Sequence, residues 1–323
     1  MNEFGRIFRI NIFGESHGTV IGVCIDGCNA GIELNENDFI SDILRRKSGA
    51  EGTTARNESD MPQIVSGIYN GYTTGAPITV LFTNEDVKSD DYLQFKKHPR
   101  PSHADFVAAQ KFNGFNDERG GGHFSGRLTL SLIAAGVVAK KMIDGISINA
   151  KIISAGNNID IHKAIENAVA DGNSIGGIIE CVAKNIPVGL GEPFFDSVES
   201  QIAHLAFSIP AVRGIEFGTG FAAAKMFGSQ HNDVIINEFG ETATNNAGGV
   251  VGGITNGNTL VFRIAVKPAA SISKTQQTFN FEHKKISDLN INGKHDTCIA
   301  LRMPVVVEAI TAIALADFTL LKK

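Results

Sequence analysis

Gly120-Gly121-Gly122-His123-Phe124-Ser125-Gly126-Arg127 leads directly into a long apolar stretch, and this junction decides the fold. Alanine, leucine and other apolar residues fill the following positions, so Ser125 to Ile143 predicts a long buried helix. Ser125 lies where the helical pattern begins, and its hydroxyl is suited to cap the helix or to meet an anion. The three glycines free backbone N–H groups just before the helix, an arrangement that suits a phosphate.

A second apolar stretch, Pro304 to Leu321, is long enough to suggest a membrane span. Glu308 and Asp317 interrupt it, and Pro304 suits the first turn of a helix. The sequence therefore predicts a second buried helix and no membrane association.

Shorter elements alternate around these two helices. The predicted strands are 6–13, 20–26, 63–68, 175–183, 213–217 and 259–266. The predicted helices are 35–47, 104–113, 160–170 and 196–208. This alternation indicates layered α and β structure, and because the 35 glycines are dispersed rather than gathered in a linker, we expect a single domain over residues 1–323.

Composition narrows the class of protein. A hydrophobic content of 43% and a charged content of 20% are typical of a globular protein, and a net charge of -5 argues against nucleic-acid binding. The four cysteines form no C-x-x-C pair, which favours buried, reduced thiols and predicts no metal site. No basic segment followed by an apolar core opens the chain, so a cytoplasmic enzyme is the expectation.

Two histidines are framed by glycine or proline and stand beside other polar groups: His17 in Gly14–Gly18, and His103 in His98–Asp105. Histidine titrates near neutral pH, so the pair suggests acid–base work. A ring that only satisfies a turn carbonyl is the structural alternative for either. The cations Arg45-Arg46-Lys47 leave two interpretations open, since they complement the end of a helix or bind an anion.

Seven short motifs follow one another in order: FGESHG at 13–18, RPSHAD at 100–105, GGGHFSGR at 120–127, GLGEPFFD at 189–196, GGITNG at 252–257, KPAASIS at 267–273 and GKHDTC at 293–298. Their order, spacing and wording resemble the chorismate synthases, from about residue 5 to the C-terminal helix. The resemblance implies an α/β (α+β) fold, a β-α-β sandwich with a layer of long helices between antiparallel sheets, assembled into a homotetramer.

The resemblance also implies a lyase. Members of the family convert 5-enolpyruvylshikimate-3-phosphate to chorismate and phosphate by anti-1,4-elimination, the last common step of the shikimate pathway to aromatic amino acids. They require reduced FMN although the reaction has no net redox change. Because the chain has no G-x-G-x-x-G after a strand, we expect external reduction of the flavin, for instance by a separate NADPH-dependent flavin reductase, rather than intrinsic reductase activity.

By resemblance, His17 protonates the leaving phosphate, His103 keeps a proton near the flavin's pyrimidine end, and Asp296 helps to relay the substrate proton. A turn or N-cap role is the structural alternative for Asp296. The residues implied for the substrate are Ser16, Arg46, Arg56, Arg100 and Arg127, whose guanidinium groups match carboxylates and phosphate. Those implied for FMN are His123, Phe124, Ser125, Pro210, Ala211, Gly252, Lys267, Pro268, Ala269, Ala270, Ser271 and Lys294. The polar segment Lys47 to Asp60 is a candidate lid.

Three segments depart from the commoner family pattern. His123-Phe124 and Gly126 stand in GGGHFSGR where many members read GGGRSSAR, which loses an arginine and a serine. The stretch before Thr53 is one residue shorter and lacks an arginine. Lys294 and Thr297 stand in GKHDTC where the usual motif is GRHDPC, so a point charge replaces a bidentate cation. None of these changes touches His17, His103 or Asp296.

Two other classes of function are compatible with the sequence. An FMN-dependent oxidoreductase would use the same cofactor and histidines but would consume reductant stoichiometrically. A noncatalytic binding protein for phosphorylated acids would need only the arginines.

Overall fold

The computed structural model describes residues 2–47, 52–53, 58–85, 90–291 and 295–322. The strands are β1 (Glu3–Phe4), β2 (Arg9–Gly14), β3 (Val20–Asp26), β4 (Gln63–Ser66), β5 (Ile68–Tyr69), β6 (Tyr72–Thr73), β7 (Ile78–Thr83), β8 (Ser147–Ala155), β9 (Gly177–Lys184), β10 (Val212–Phe217), β11 (Val250–Val251), β12 (Ile254–Thr255), β13 (Leu260–Val266), β14 (Gln276–Asn280) and β15 (Lys285–Leu289). The helices are α1 (Asn37–Arg46), α2 (Asp105–Lys111), α3 (Thr129–Met142), α4 (Ile161–Ala170), α5 (Val198–Ser208), α6 (Gly228–His231) and α7 (Pro304–Leu321).

Two antiparallel sheets enclose a layer of helices. One sheet has the strand order β1-β2-β3-β7-β4, and the other has the order β10-β13-β9-β8. Helix α3 packs on β2 and β3 of the first sheet, whereas α7 packs on β8 and β9 of the second and α5 on β10. Because α3 and α7 also pack on each other, the predicted β-α-β sandwich is confirmed.

The central helices lack a polar face because protein covers them on every side. All residues of α3 from Thr129 to Ala139 are buried, as are those of α7 from Val305 to Phe318. Helix α7 is the one described helix long and apolar enough to cross a membrane, yet 78% of it lies buried inside the fold. The prediction of a buried core helix is confirmed.

Two carboxylates in α7 are buried without a loss of stability because each accepts several hydrogen bonds. Glu308 accepts two hydrogen bonds from Arg45, at 2.6 and 2.7 Å, and one from the backbone N–H of Ala150 at 2.9 Å. Asp317 accepts three backbone N–H groups of residues 6–8 at 2.7 to 3.0 Å. These bonds tie the C-terminal helix to the first strands of the chain and to β8.

The local sequence predicted whether an element is a helix or a strand better than it predicted the residues at which the element begins and ends. The predicted strand 63–68 breaks at Gly67, where a positive φ of 83° separates β4 from β5. The predicted helix 125–143 opens with a 3₁₀ turn, Gly126–Leu128, and Ser125 caps it by accepting the N–H of Arg127 at 3.3 Å. Strand β8 and the β14–β15 hairpin were not predicted, because their burial is partial and irregular.

The cysteines carry no disulfide. Cys28, Cys181 and Cys298 are buried and Cys24 is half-buried, and all four are free thiols. Burial raises the pKa of Cys181 to about 12 and that of Cys28 to about 11. Both of these thiols are unreactive near neutral pH, and they are buried and reduced as the sequence predicted.

Candidate active site

A cavity of about 760 Å³ lies where the glycine-rich loop, the ends of α1, α5 and α7 and the loop after β13 converge. Its size falls within the range of small-molecule sites. Its described lining contains six lysine or arginine side chains and three carboxylates, so the cavity favours an anionic ligand. The basic residues are Arg46, Lys47, Arg127, Arg213, Lys267 and Arg302.

The glycine-rich loop runs between the two predicted catalytic histidines. Gly120, Gly121 and Gly122 all have positive φ, at 59°, 81° and 53°. A methyl group on Gly120 would lie 2.5 Å from Nε2 of His17, and one on Gly121 would lie 3.8 Å from Nε2 of His103. Adjacent residues of one loop thus lie close to both rings.

His17 lies directly behind the cavity wall. Its side chain is buried, and Gly120, which lines the cavity, is in direct contact with the ring. Tyr92, another lining residue, meets the ring edge-on with centroids 5.2 Å apart. Ser16 is completely buried, and its N–H donates to the carbonyl of Gly122 at 3.1 Å, which joins the FGESHG segment to the glycine loop.

His103 lines the cavity and is held by a buried ion pair. Its Nδ1 lies 2.6 Å from Oδ1 of Asp105, which also accepts two hydrogen bonds from the Arg100 side chain. Burial opposes the charge on Asp105, but the bonds from Arg100 and His103 outweigh it and hold the pKa of this carboxyl well below its usual range. Arg100, predicted to bind substrate, is not among the described residues that line the cavity.

The other two described arginines of the predicted substrate set line the cavity but have protein partners. Arg46 donates to the Thr129 hydroxyl at 2.9 Å and to the Gly126 carbonyl at 3.0 Å. Arg127 donates to Asp60 at 2.7 Å and to Asn84 at 2.6 Å. Complete burial lowers the pKa of Arg46 to about 9, with neighbouring arginines adding to the effect.

Asp296, the third predicted catalytic residue, also lines the cavity. It accepts a hydrogen bond from Nη1 of Arg302 at 3.1 Å, and Nε of Arg302 donates to the Arg46 carbonyl at 2.9 Å. No sequence signal singled out Arg302. It could have been noticed as a cation just before the proline that opens α7.

The predicted FMN segment 267–271 forms a continuous part of the lining. Nζ of Lys267 donates to the Ser102 carbonyl at 2.6 Å, and burial, followed by the nearby Arg213 charge, lowers the pKa of Lys267. Pro210 and Ala211 lie beside this segment, and Ala211 takes an unusual φ of 74° while its carbonyl accepts the Lys267 N–H. Arg213 is a second lining cation that sequence reasoning missed.

His123, Phe124 and Ser125 all line the cavity. Nδ1 of His123 lies 2.9 Å from the Gly14 carbonyl, and its Nε2 lies 3.1 Å from Oδ1 of Asn2. The ring therefore connects the glycine-rich loop to the end of β2. Phe124 is 40% exposed and presents an apolar surface to the cavity.

Gly252, predicted to contact FMN, is not brought to the cavity. Gly252 lies at the β11–β12 turn, where its positive φ of 63° explains the glycine, and it is absent from the described lining. Arg56 and Lys294 lie outside the described residues, as does most of the candidate lid between Lys47 and Asp60. Lys47 and Asp60 themselves line the cavity.

The sandwich fold and its cation-lined cavity define an enzyme that acts on a small molecule. The family model described as "Chorismate synthase" matches residues 8–320. Chorismate synthases of Chitinophaga pinensis and Pyrococcus abyssi are 59% and 42% identical; the first alignment covers 100% of this chain and 98% of that protein, and the second covers 99% and 98%. A solved structure described as "Crystal Structure of Chorismate Synthase" is similar at a TM-score of 0.76 and 28% identity, over 99% of this chain and 93% of that one.

The chain belongs to the chorismate synthase family. It is an enzyme, a lyase, as the sequence motifs predicted.

Proposed function

We propose that the chain eliminates phosphate and a proton from 5-enolpyruvylshikimate-3-phosphate to form chorismate, with reduced FMN in the same cavity. The observation that carries the proposal is the placement of His17 and His103 against consecutive glycines at the wall of a cavity rich in basic side chains. A substrate with two carboxylates and a phosphate requires that excess of positive charge, and its elimination requires proton donors beside it.

The lining fits a flavin mononucleotide. Ala211, Ala269 and Ala270 offer a wall of small side chains and Phe124 offers a flat apolar surface, both of which suit a planar ring. Lys267 and Arg213 offer paired charge for a terminal phosphate, while Lys294 and Gly252 remain the predicted further contacts. When bound, reduced FMN supplies electron density to the elimination and recovers it.

The protein's own groups handle protons and developing charge. His17 donates a proton to the departing phosphate, whose charge Arg46 and Arg127 stabilise. His103 holds a proton at the cofactor, and Asp296 helps to relay the proton that leaves the substrate. Ser16, Arg56 and Arg100 complete the predicted substrate set. Arg100 is not among the described residues that line the cavity, so its role is indirect and depends on its hydrogen bond to Asp105.

The assembly and cellular setting follow the family resemblance. We infer a homotetramer in the cytoplasm, acting in the shikimate pathway and supplied with reduced flavin from outside. The described segment 220–243 carries strongly exposed large apolar residues, including Phe221 at 83% and Phe239 at 81%, which supports a subunit interface.

An anaerobic assay with photoreduced FMN tests the activity. Purified enzyme and 5-enolpyruvylshikimate-3-phosphate are expected to give chorismate and phosphate in equal amounts, with no net oxidation of the flavin over many turnovers. An oxidoreductase would instead consume one equivalent of reductant for each product. Absence of chorismate formation with fully reduced FMN would overturn the proposal.

The same assay tests the source of electrons. NADPH with FMN but no photoreduction is expected to give no appreciable turnover until a flavin reductase is added. Robust turnover with NADPH alone would show that the chain reduces its own flavin. Chorismate formed under photoreduction serves as the positive control.

A further inference from the structure

The buried pair formed by Arg100 and Asp105 holds the inner edge of His103. The Asp105 side chain is 10% exposed and that of Arg100 is 5% exposed. Nε of Arg100 donates to Oδ2 at 2.8 Å, and Nη2 donates to Oδ1 at 2.7 Å, so the two planar groups meet in a bidentate pair. The backbone N–H of Arg100 adds a third bond to Oδ2 at 3.1 Å.

Arg100 is itself fixed on its two remaining sides. Its Nη1 donates to the Ser271 hydroxyl at 3.0 Å, and its guanidinium carbon lies 4.3 Å from the centre of the Phe95 ring. Ser271 belongs to the segment that lines the cavity after β13. A chain of contacts therefore runs from the cavity wall through Arg100 and Asp105 to His103.

The geometry decides which nitrogen of His103 carries the proton. Nδ1 lies 2.6 Å from Oδ1 of Asp105 but also 3.0 Å from Nη2 of Arg100. Arginine can only donate and an ionised carboxylate can only accept, so Nδ1 can satisfy one of them and not both. The shorter contact is to the carboxylate, which requires a proton on Nδ1.

We propose that Asp105 is a positioning residue which, aligned by Arg100, keeps the proton of neutral His103 on Nδ1 and leaves Nε2 for the ligand. Among the described residues Nε2 has no hydrogen-bond partner, and it lies beside Gly121. When the ring is protonated, Nδ1 still donates to Asp105, and Nε2 gains the proton that the ligand meets. This inference rests on the proposed role of His103 and extends it to two residues outside the cavity lining.

The tautomer of His103 can be measured without activity. Ring ¹⁵N chemical shifts of the full-length enzyme labelled in histidine distinguish Nδ1–H from Nε2–H, and the spectrum of His103→Gln assigns the signal among the nine histidines. We expect neutral His103 to carry its proton on Nδ1. A proton on Nε2 in the wild-type enzyme would overturn the proposal, whatever the behaviour of any variant.

The Asp105→Asn variant should reverse the tautomer. The position of Oδ2 receives the Arg100 backbone N–H and Nε, so the asparagine oxygen must occupy it and the amide NH₂ faces Nδ1. That NH₂ can only donate, which drives the ring proton to Nε2. Turnover should fall about 100-fold, on the order of a positioned acid–base group, while the substrate KM changes little.

Asp26→Asn is the matched control, since Asp26, the last residue of β3, forms an exposed ion pair with Arg9, the first residue of β2. It should change neither the His103 tautomer nor turnover. A lower melting temperature for Asp105→Asn with an unchanged tautomer and unchanged turnover would assign Asp105 a purely structural role and refute the inference. Full turnover in His103→Ala would instead refute the proposed role of His103, while the tautomer would still test that of Asp105.

Discussion

At the residue scale, glycine is required in the loop for space as well as for backbone conformation. A methyl group on Gly122 would lie 2.0 Å from the Asp117 carbonyl oxygen, and one on Gly120 would overlap the His17 ring and approach Oγ of Ser16 at 2.9 Å. The sequence suggested that these glycines free N–H groups for a phosphate. Their contacts add a second reason, which is that the loop must pass close to the rings of His17 and His103, the two histidines proposed to be catalytic.

Gly120→Ala is predicted to displace His17. The new methyl group would meet Nε2 at 2.5 Å and Cδ2 at 2.4 Å, so the ring must move, and a displacement of about 1 Å costs turnover about 100-fold. Gly71→Ala is the control, because Gly71 has a similar positive φ of 79° but no atom within 4 Å of the added methyl group. Steady-state turnover and melting temperature of both variants provide the test. Equal loss of turnover in the two would attribute the effect to backbone strain alone.

Replacement of His17 and of His103 by alanine is predicted to have different effects on the enzyme. His17→Ala removes a donor to charge that develops mainly in the transition state, so turnover should fall about 10²–10⁴-fold with little change in substrate affinity. His103→Ala should instead alter the pH dependence of the reduced-flavin spectrum in the ternary complex. Spectra that coincide in the two variants, together with near-normal turnover, would contradict both assignments.

At the element scale, α3 and α7 approach closely because Gly136 meets Ala309. A methyl group on Gly136 would lie 2.4 Å from Cβ and 2.6 Å from Cα of Ala309. Both helices are buried around their full circumference, so neither can move away without disturbing a sheet. The helical layer is therefore set by one small residue on each helix.

Gly136→Ala is predicted to destabilise the fold although alanine is the better helix former. The gain in helix propensity is about 1 kcal/mol, whereas overpacking a core costs about 1–3 kcal/mol. Adding Ala309→Gly should restore the space and recover part of the loss. Melting temperatures of the wild type, the two single variants Gly136→Ala and Ala309→Gly, and the double variant measure the coupling. A Gly136→Ala protein more stable than the wild type would contradict the packing argument.

The segment from Lys47 to Asp60 is predicted to couple the two ligands. Its ends, Lys47 and Asp60, both line the cavity, so two ligands that share this cavity would raise each other's affinity. Oxidised FMN should therefore bind more tightly when 5-enolpyruvylshikimate-3-phosphate is present, and fluorescence titration of the flavin measures both dissociation constants. Equal constants would exclude the coupling.

At the scale of the whole molecule, the exposed apolar residues are not evenly spread. Val234, Ile235 and Ile236 are consecutive in the chain and are 65%, 68% and 57% exposed. Three exposed apolar residues in succession are costly in water unless another surface covers them. The proposed homotetramer offers such a surface.

Light scattering is predicted to give four times the 34.4 kDa chain mass, and Ile235→Glu is predicted to lower it. The introduced charge would have to be desolvated at a subunit contact. Ile159→Glu is the control, since Ile159 is 87% exposed but lies far from this segment in the chain. A monomeric wild type, or equal masses for both variants, would count against the proposed interface.

The sequence by itself determined the family and both central helices, and it supplied the candidate catalytic residues. Ser125 was recognised as a cap and Pro304 as the start of α7, because capping and proline effects depend on a few adjacent residues. His17, His103 and Asp296 were identified because their motifs are short and local. These signals are carried by neighbouring positions and can be read without knowing which elements pack together.

Only the tertiary structure decided which distant groups the arginines contact. Arg100 lies near His103 in the sequence, but its partner Ser271 is 171 positions away, and Arg302 meets the Arg46 carbonyl across 256 positions. Burial decides whether an arginine binds a ligand or an internal carboxylate, because an unpaired buried charge is too costly to persist. Whether a particular arginine is buried depends on the packing of elements that are distant in the sequence, and no local pattern encodes that packing.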